Sequence, residues 1–162
     1  GVYDDTGKWM DGWESRRNRQ QGHDHCTVRL GLPGRIRGIN FDTTYFTGHS
    51  APSVSLEACY VAQGEPKNAT PWQPVQAALN LLGDSHHIQT IDCDQVFSHV
   101  RLHIYPDGGI ARLRIYGEVV KDWNAQTNEL VDLAAMSNGG RAYCAVMNTL
   151  ALWIISSARP RQ

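Results

Sequence analysis

An all-β fold, an antiparallel sandwich or jelly roll, is what this sequence predicts, and three observations carry the prediction. Apolar and polar residues alternate with period two in short runs, as in strands with one buried face. Fifteen glycines and seven prolines punctuate those runs. The turn cluster Pro106-Asp107-Gly108-Gly109 separates two of the clearest alternating segments. A chain of 162 residues suits one domain with one core, burying roughly two thirds of the surface it exposes when unfolded.

Taken in order, Gly1 to Gly22 is polar and broken by Tyr3, Trp9 and Trp13, so a long loop is expected. Thr27–Leu30 alternates, Leu32-Pro33-Gly34 turns the chain, and Ile36–Phe41 alternates again, a hairpin-like signal. After a turn at Thr47–Pro52, the run Val54–Val61 places Val54, Leu56 and Ala58 on one face and Ser55, Glu57 and Cys59 on the other. Gly64–Pro71 is a polar loop. Its Asn68-Ala69-Thr70 matches a glycosylation acceptor, which matters only in a secreted protein. Val75–Leu82, closed by Gly83, fits a short helix or a strand equally well. His99–Tyr105 and Ile110–Gly117 then alternate on either side of the Pro-Asp-Gly-Gly cluster, and a β-hairpin is expected. Val100, Leu102, Ile104, Leu113 and Ile115 would face the core. His99, Arg101, His103, Arg112 and Arg114 would share the other face, side by side.

Fifteen basic and sixteen acidic residues nearly cancel, so no global field attracts nucleic acid or an anionic membrane, and a charged ligand must be recognised locally. Cys26, Cys59, Cys93 and Cys144 are scattered without a C-x-x-C pair, which reads as buried, reduced thiols in a cytosolic protein. No signal-peptide pattern opens the chain. The apolar stretch Ala142–Ile155 is interrupted by Asn148 and Thr149 and falls short of the roughly twenty residues of a membrane span, so a buried terminal segment is expected.

Chemistry concentrates in Asp11-Gly12-Trp13-Glu14-Ser15-Arg16-Arg17-Asn18-Arg19 and in Gly22-His23-Asp24-His25. Arginine forks match a carboxylate with two parallel hydrogen bonds, so this loop could hold a small anion; the alternative is a solvated loop whose charges satisfy one another. His23-x-His25 beside Asp24 could begin a metal site. Two histidines are not a coordination set, however, and His86-His87 does not complete one. Arg112 and Arg114 read either as an exposed sheet face or as the floor of a ligand site.

These clusters fall within blocks that resemble the allantoicase family. Gly7–Arg17, Gly22-His23-Asp24, Ile36-Arg37-Gly38 through Asp42-Thr43 to Tyr45–Gly48, Ser55–Ala58, His99–Leu102 and Tyr105–Arg114 follow in the family's order. Asp132-Leu133-Ala134 with Asn138-Gly139-Gly140 resembles the passage out of its first repeat. The chain therefore looks like one of that enzyme's two repeats, with a repeat-like domain over residues 1–140 and an atypical tail over 141–162. The resemblance implies a galactose-binding-like jelly roll and favours a strand for Val75–Leu82. It also implies a hydrolase that releases urea from allantoate, giving ureidoglycolate, without an organic cofactor; a divalent metal is left open. The expected partner is allantoate, not nucleic acid or membrane, with a homo-oligomer left open. The expected location is cytoplasmic, with a peroxisomal one left open. Three departures stand out: a single repeat, His25 where the family commonly has an aromatic, and no N-terminal segment before the first block.

Cleaving allantoate requires protonation of a departing urea, stabilisation of an imine-like intermediate and delivery of water. The expected acid–base residues are Glu14, His23 and Asp24, with Glu57 in reserve for activating water. Arg16, Arg17, Arg112, Arg114 and Asp107 are the expected substrate-binding residues, with Arg112 or Arg16 on the carboxylate. The competing expectation is a non-catalytic module that binds a small anion or sugar, or an inactive relative.

Overall fold

The computed structural model describes residues 12–17, 19 and 21–120, together with the two short strands Tyr3–Asp4 (β1) and Gly7–Lys8 (β2). The expected boundary at residue 140, the tail, Cys144 and the apolar stretch Ala142–Ile155 lie outside the described residues. The remaining strands are Trp13–Glu14 (β3), Asp24–Asp42 (β4), Ser53–Cys59 (β5), Gln73–Asn80 (β6), His86–Thr90 (β7), Val96–Tyr105 (β8), Gly109–Ile110 (β9) and Arg112–Val119 (β10). Every pairing between named strands is antiparallel, and no helix occurs among the described residues. The fold is an all-β antiparallel sandwich.

The long strand β4 organises it. Its first half, Asp24–Arg29, pairs with β8, which pairs with β5 and through it with β6. Its second half, Gly34–Asp42, pairs with β10 on one edge, while Gly38–Asp42 pairs with β7 on the other. Asp24 stands opposite Ile104 and Asp42 opposite Arg112, so both ends of β4 adjoin the connection between β8 and β10. The turn expected at Leu32-Pro33-Gly34 is corrected: β4 runs unbroken from Asp24 to Asp42 through these residues. The two halves do not pair as a hairpin; both belong to one six-stranded sheet, and β8 pairs with β4 from Asp24 to Arg35 with a register slip between Arg29 and Gly34.

The second expected hairpin is also corrected. β8 and β10 do not pair, because β4 lies between them in the strand order. The intervening turn contains a cis Tyr105–Pro106 bond, and β9 pairs with β3. Gly108 sits at a φ of 124°, and a Cβ there would come within 2.8 Å of the Ala51 backbone, so only glycine fits this approach. The five cationic side chains are consequently not side by side: His99, Arg101 and His103 lie on β8 and Arg112 and Arg114 on β10, with β4 between them.

The expected faces hold. Val54, Leu56, Ala58, Val100, Leu102 and Ile104 are buried with Ile36, Ile39 and Phe41, and Leu113 and Ile115 pack against them. Each large aliphatic side chain buried here contributes about 1.5–3 kcal/mol. The undecided segment is the strand β6, in which half-buried Val75 and Leu79 pack on the core. The opening loop contains the short strands β1, β2 and β3. Cys59 is buried and Cys93 half-buried, but Cys26 is exposed: it precedes the point where β4 gains partners on both edges, so burial fails there.

Candidate functional site

The alternation that buries Val100, Leu102 and Ile104 turns His99, Arg101, His103 and Tyr105 away from the core on β8. Register places Glu57 opposite Arg101 and Ser55 opposite His103 on one side, and Thr27 opposite Arg101 and His25 opposite His103 on the other. A continuous polar chain results. His23 Nε2 and His103 Nδ1 are 2.9 Å apart. His103 Nε2 lies 3.1 Å from Glu57 Oε1, and Arg101 Nη1 donates to the same oxygen at 3.2 Å. Arg101 also donates from Nε to Thr27 Oγ1 at 3.2 Å, and its guanidinium stacks 4.0 Å above the Trp72 ring. Tyr105 closes the group, its ring 4.6 Å from that of His23 and its hydroxyl 3.0 Å from Ser55 Oγ.

These contacts dictate tautomers. A carboxylate only accepts, so His103 carries its proton on Nε2 towards Glu57. Its Nδ1 then accepts from His23 Nε2–H, leaving His23 Nδ1 as the basic nitrogen. Burial pushes the His103 imidazole below its ordinary value; the Glu57 carboxylate pulls it up, and nearby His23 and His25 push it down again. The net direction favours a neutral ring near pH 7.

A second cluster lies where the last residues of β4 meet β10 and β7. Arg114 Nη1 donates to Asp42 Oδ2 at 2.7 Å, and Thr44 donates to Asp42 Oδ1 from its backbone N–H at 2.9 Å and from its hydroxyl. His86 Nδ1 lies 3.8 Å from Asp42 Oδ1 and 3.0 Å from Asn40 Nδ2. Asp42 is only 1% exposed. Burial raises its carboxyl, but the hydrogen bonds from Thr44 and Arg114 outweigh that and hold it well below the usual carboxylate range. A depressed folded value means that the stabilisation is present above the unfolded value, about pH 3.9, and is lost as pH falls towards the folded one. The stability difference between the wild type and Asp42→Asn should therefore be largest above about pH 4 and shrink on acidification. Thermal melts of both proteins across pH 2–7 check this, and a difference that grows on acidification would contradict it.

The expected site residues divide accordingly. His23 and Glu57 meet through His103. Asp24 aligns with Ile104, on the opposite side of β4 from His25 and His103. Glu14 pairs with Gly109, and Ser15 is clamped to Gly108 through its backbone N–H at 3.1 Å and its hydroxyl, which accepts from Gly108 N–H at 3.2 Å. Glu14 thereby stands beside the turn containing half-buried Asp107, and exposed Arg16 and Arg17 lead from this clamp towards His23. Arg114 is paired with Asp42, and Arg112 aligns with Asp42 in the register of β10 against β4. Asp11 and Asn18 lie outside the described residues. Among the described residues no three His, Cys, Asp or Glu side chains are arranged to hold a metal ion.

The pairing of β3 with β9 joins the Trp13-Glu14-Ser15 block to the Pro-Asp-Gly-Gly block, although about ninety residues of chain separate them. Residues 1–120 match the model of the allantoicase repeat. The chain belongs to the allantoicase family. It is 58% identical over 143 residues to a probable allantoicase of Pseudomonas fluorescens, covering 88% of this chain and 43% of the relative. It is 56% identical over 142 residues to a probable allantoicase of Photobacterium profundum, covering 87% and 43%. A solved allantoicase structure superposes with a TM-score of 0.68 at 33% identity, over 82% of this chain and 42% of that one. The crystal structure of the Saccharomyces cerevisiae allantoicase gives 0.64 at 32% identity, over 86% and 43%. The chain thus spans less than half the length of these allantoicases, in keeping with a single repeat.

Sequence reasoning missed His103 as the link between His23 and Glu57, and Asp42 as the partner of Arg114. The signal for His103 was available in part. Period two already turned His103 and Glu57 away from the core on their own strands, and only the register of β5 against β8 was needed to join them.

Proposed function

We propose that this chain is one repeat of an allantoicase, hydrolysing allantoate to ureidoglycolate and urea, and that His23, backed by His103 and Glu57, moves the protons. The single observation that carries the reading is the hydrogen-bonded chain from His23 through His103 to Glu57, on a chain of the allantoicase family. In the first step the protonated His23 gives its proton to the nitrogen of the departing ureido group. The C–N electrons leave with urea, and the lone pair of the remaining ureido nitrogen forms a C=N bond. In the second step water adds its oxygen to that carbon and its proton returns to His23 Nδ1, so one water is consumed and ureidoglycolate is released. Glu57 stabilises the imidazolium through His103 rather than touching the substrate.

Asp24 is a weaker candidate than His23, because it points to the other side of the strand. Glu14 remains a candidate acid on the clamped loop, with Arg16 and Arg17 able to approach the substrate from the same side. Arg112, Arg114 and Asp107 remain candidate substrate-binding residues, Arg114 through a guanidinium already paired with Asp42. We place the enzyme in the cytoplasm, acting on a small anion; the free thiols of Cys26, Cys59 and Cys93 fit that setting. Among the described residues no helix is long and apolar enough to cross a membrane.

The test is urea release from allantoate by the purified chain, with and without added divalent metal. Turnover is the expected result. A folded chain that binds allantoate saturably and releases no urea under either condition would replace the catalytic reading with that of a binding module.

A further inference from the structure

Beside the His23–His103–Glu57 chain, two residues back along β8, lies an open cavity of about 360 Å³ lined by Thr27, Arg29, Glu65, Pro66, His99 and Arg101. We infer that this cavity binds a small carboxylate carrying a ureido N–H group, the carboxylate on Arg29 and Arg101 and the N–H on His99 Nε2. None of the residues that line it was expected to bind substrate. Its volume falls within the roughly 300–1,000 Å³ usual for small-molecule sites.

His99 supplies the decisive observation. Its ring is 3% exposed, and Nε2 has no hydrogen-bond partner. A buried nitrogen left unpaired is destabilising unless something completes it. What would complete it follows from Ser98. A hydroxyl has one proton and two lone pairs. Ser98 Oγ donates to Val61 O at 3.1 Å and accepts from Val61 N–H at 2.8 Å, so its contact with His99 Nδ1 at 2.9 Å is most simply an acceptance from Nδ1–H. Nε2 then carries a lone pair and needs a donor. Burial lowers the His99 imidazole below its ordinary value and Arg29 lowers it further, against an upward pull from Glu65, which keeps the ring neutral.

The cavity therefore presents guanidinium groups and acceptors together. Arg101 is held by Glu57, Thr27 and the Trp72 ring, and a planar carboxylate suits such a fixed guanidinium. Glu65 offers a second acceptor for N–H groups. A wholly accepting anion such as sulfate would satisfy the arginines and leave His99 Nε2 orphaned, whereas a neutral urea would satisfy His99 and leave the arginines. Choosing a ureido acid over other N–H-bearing carboxylates rests on the allantoate reading above.

The experiment uses the full chain and N-carbamoylglycine, which has the carboxylate and one ureido group but lacks the second ureido group that would leave. Calorimetry should show saturable one-to-one binding, weakened about tenfold or more in Arg29→Gln and in His99→Phe, with acetate, methylurea and sulfate each binding at least about tenfold more weakly. Arg29 is exposed, so Arg29→Gln should melt like the wild type and keep the test valid if His99→Phe folds poorly. No saturable binding, binding unchanged in Arg29→Gln, or sulfate binding as tightly as N-carbamoylglycine overturns the assignment. Binding as expected with no urea released from allantoate upholds the cavity and defeats the catalytic reading. Urea release with KM unchanged in Arg29→Gln does the reverse.

Discussion

Replacing Glu57 by glutamine is expected to lower urea release from allantoate by about a hundredfold or more, because positioned acid–base machinery typically contributes that much. The carboxylate does three things at one oxygen. It fixes the His103 tautomer, it places a negative charge at the end of the chain that runs through His103 to His23, and it orients Arg101. Glutamine keeps the size but removes the charge, and its amide can donate towards His103, reversing the polarity of the whole chain. In a serine protease triad the comparable carboxylate-to-amide change leaves the geometry nearly intact and still costs about 10⁴-fold. Glu57 is partly exposed, and its ion pair contributes at most about 1 kcal/mol to stability, so the melting temperature should stay close to that of the wild type. His23→Ala should lose turnover to the same extent, and the double variant little more, because the residues act as a unit. Turnover of Glu57→Gln within a few fold of wild type, in protein with a normal melt, would remove the relay from the mechanism.

The residues of this relay also mark the boundary of what the sequence could reveal. Which side of each strand faces the core was legible at Val54, Leu56 and Ala58 and at Val100, Leu102 and Ile104, because alternation is a local property and a one-residue slip would expose the entire set. Partner choice was not. Pro106-Asp107-Gly108-Gly109 carries the chemistry of a tight turn, yet the chain leaving it pairs briefly with Trp13–Glu14 and then with β4, so β8 and β10 end on either side of β4. Leu32-Pro33-Gly34 carries turn chemistry too, yet it lies within the unbroken strand β4, at a slip in its register against β8. The site followed the same rule. His23 and Glu57 were visible as residues of suitable chemistry. The joining of them by His103, and the orphaned nitrogen of His99, depend on registers between strands more than forty residues apart in sequence. Arg114 is a further case: its chemistry suits a substrate carboxylate, and its pairing with Asp42 of its own chain was not visible in the sequence.

Because β4 pairs with β7, β8 and β10, its buried aromatic should be the most costly single truncation. Phe41 is 0% exposed and heads the fully buried side chains by volume. It aligns with Leu113 of β10 and His87 of β7, and its carbonyl is 3.1 Å from His87 Nδ1. Phe41→Ala is expected to cost about 3–5 kcal/mol, a large part of the roughly 5–15 kcal/mol that holds a domain together. In guanidinium unfolding the midpoint should fall with the slope unchanged, since the surface exposed on unfolding is nearly the same. Ile88→Ala, on the neighbouring strand but 71% exposed, should stay within about 0.5 kcal/mol of wild type. The continuity of β4 adds a sharper requirement. Its first half carries the face where His23, His103 and Glu57 meet, so the imidazole resonances of His23 and His103 should lose their native positions at the same midpoint as the global signal, in the wild type and in Phe41→Ala alike. A relay-bearing sheet that survived the loss of Phe41 and melted in a separate transition would mean that the two halves of β4 fold independently, and that the strand does not couple the core to the site.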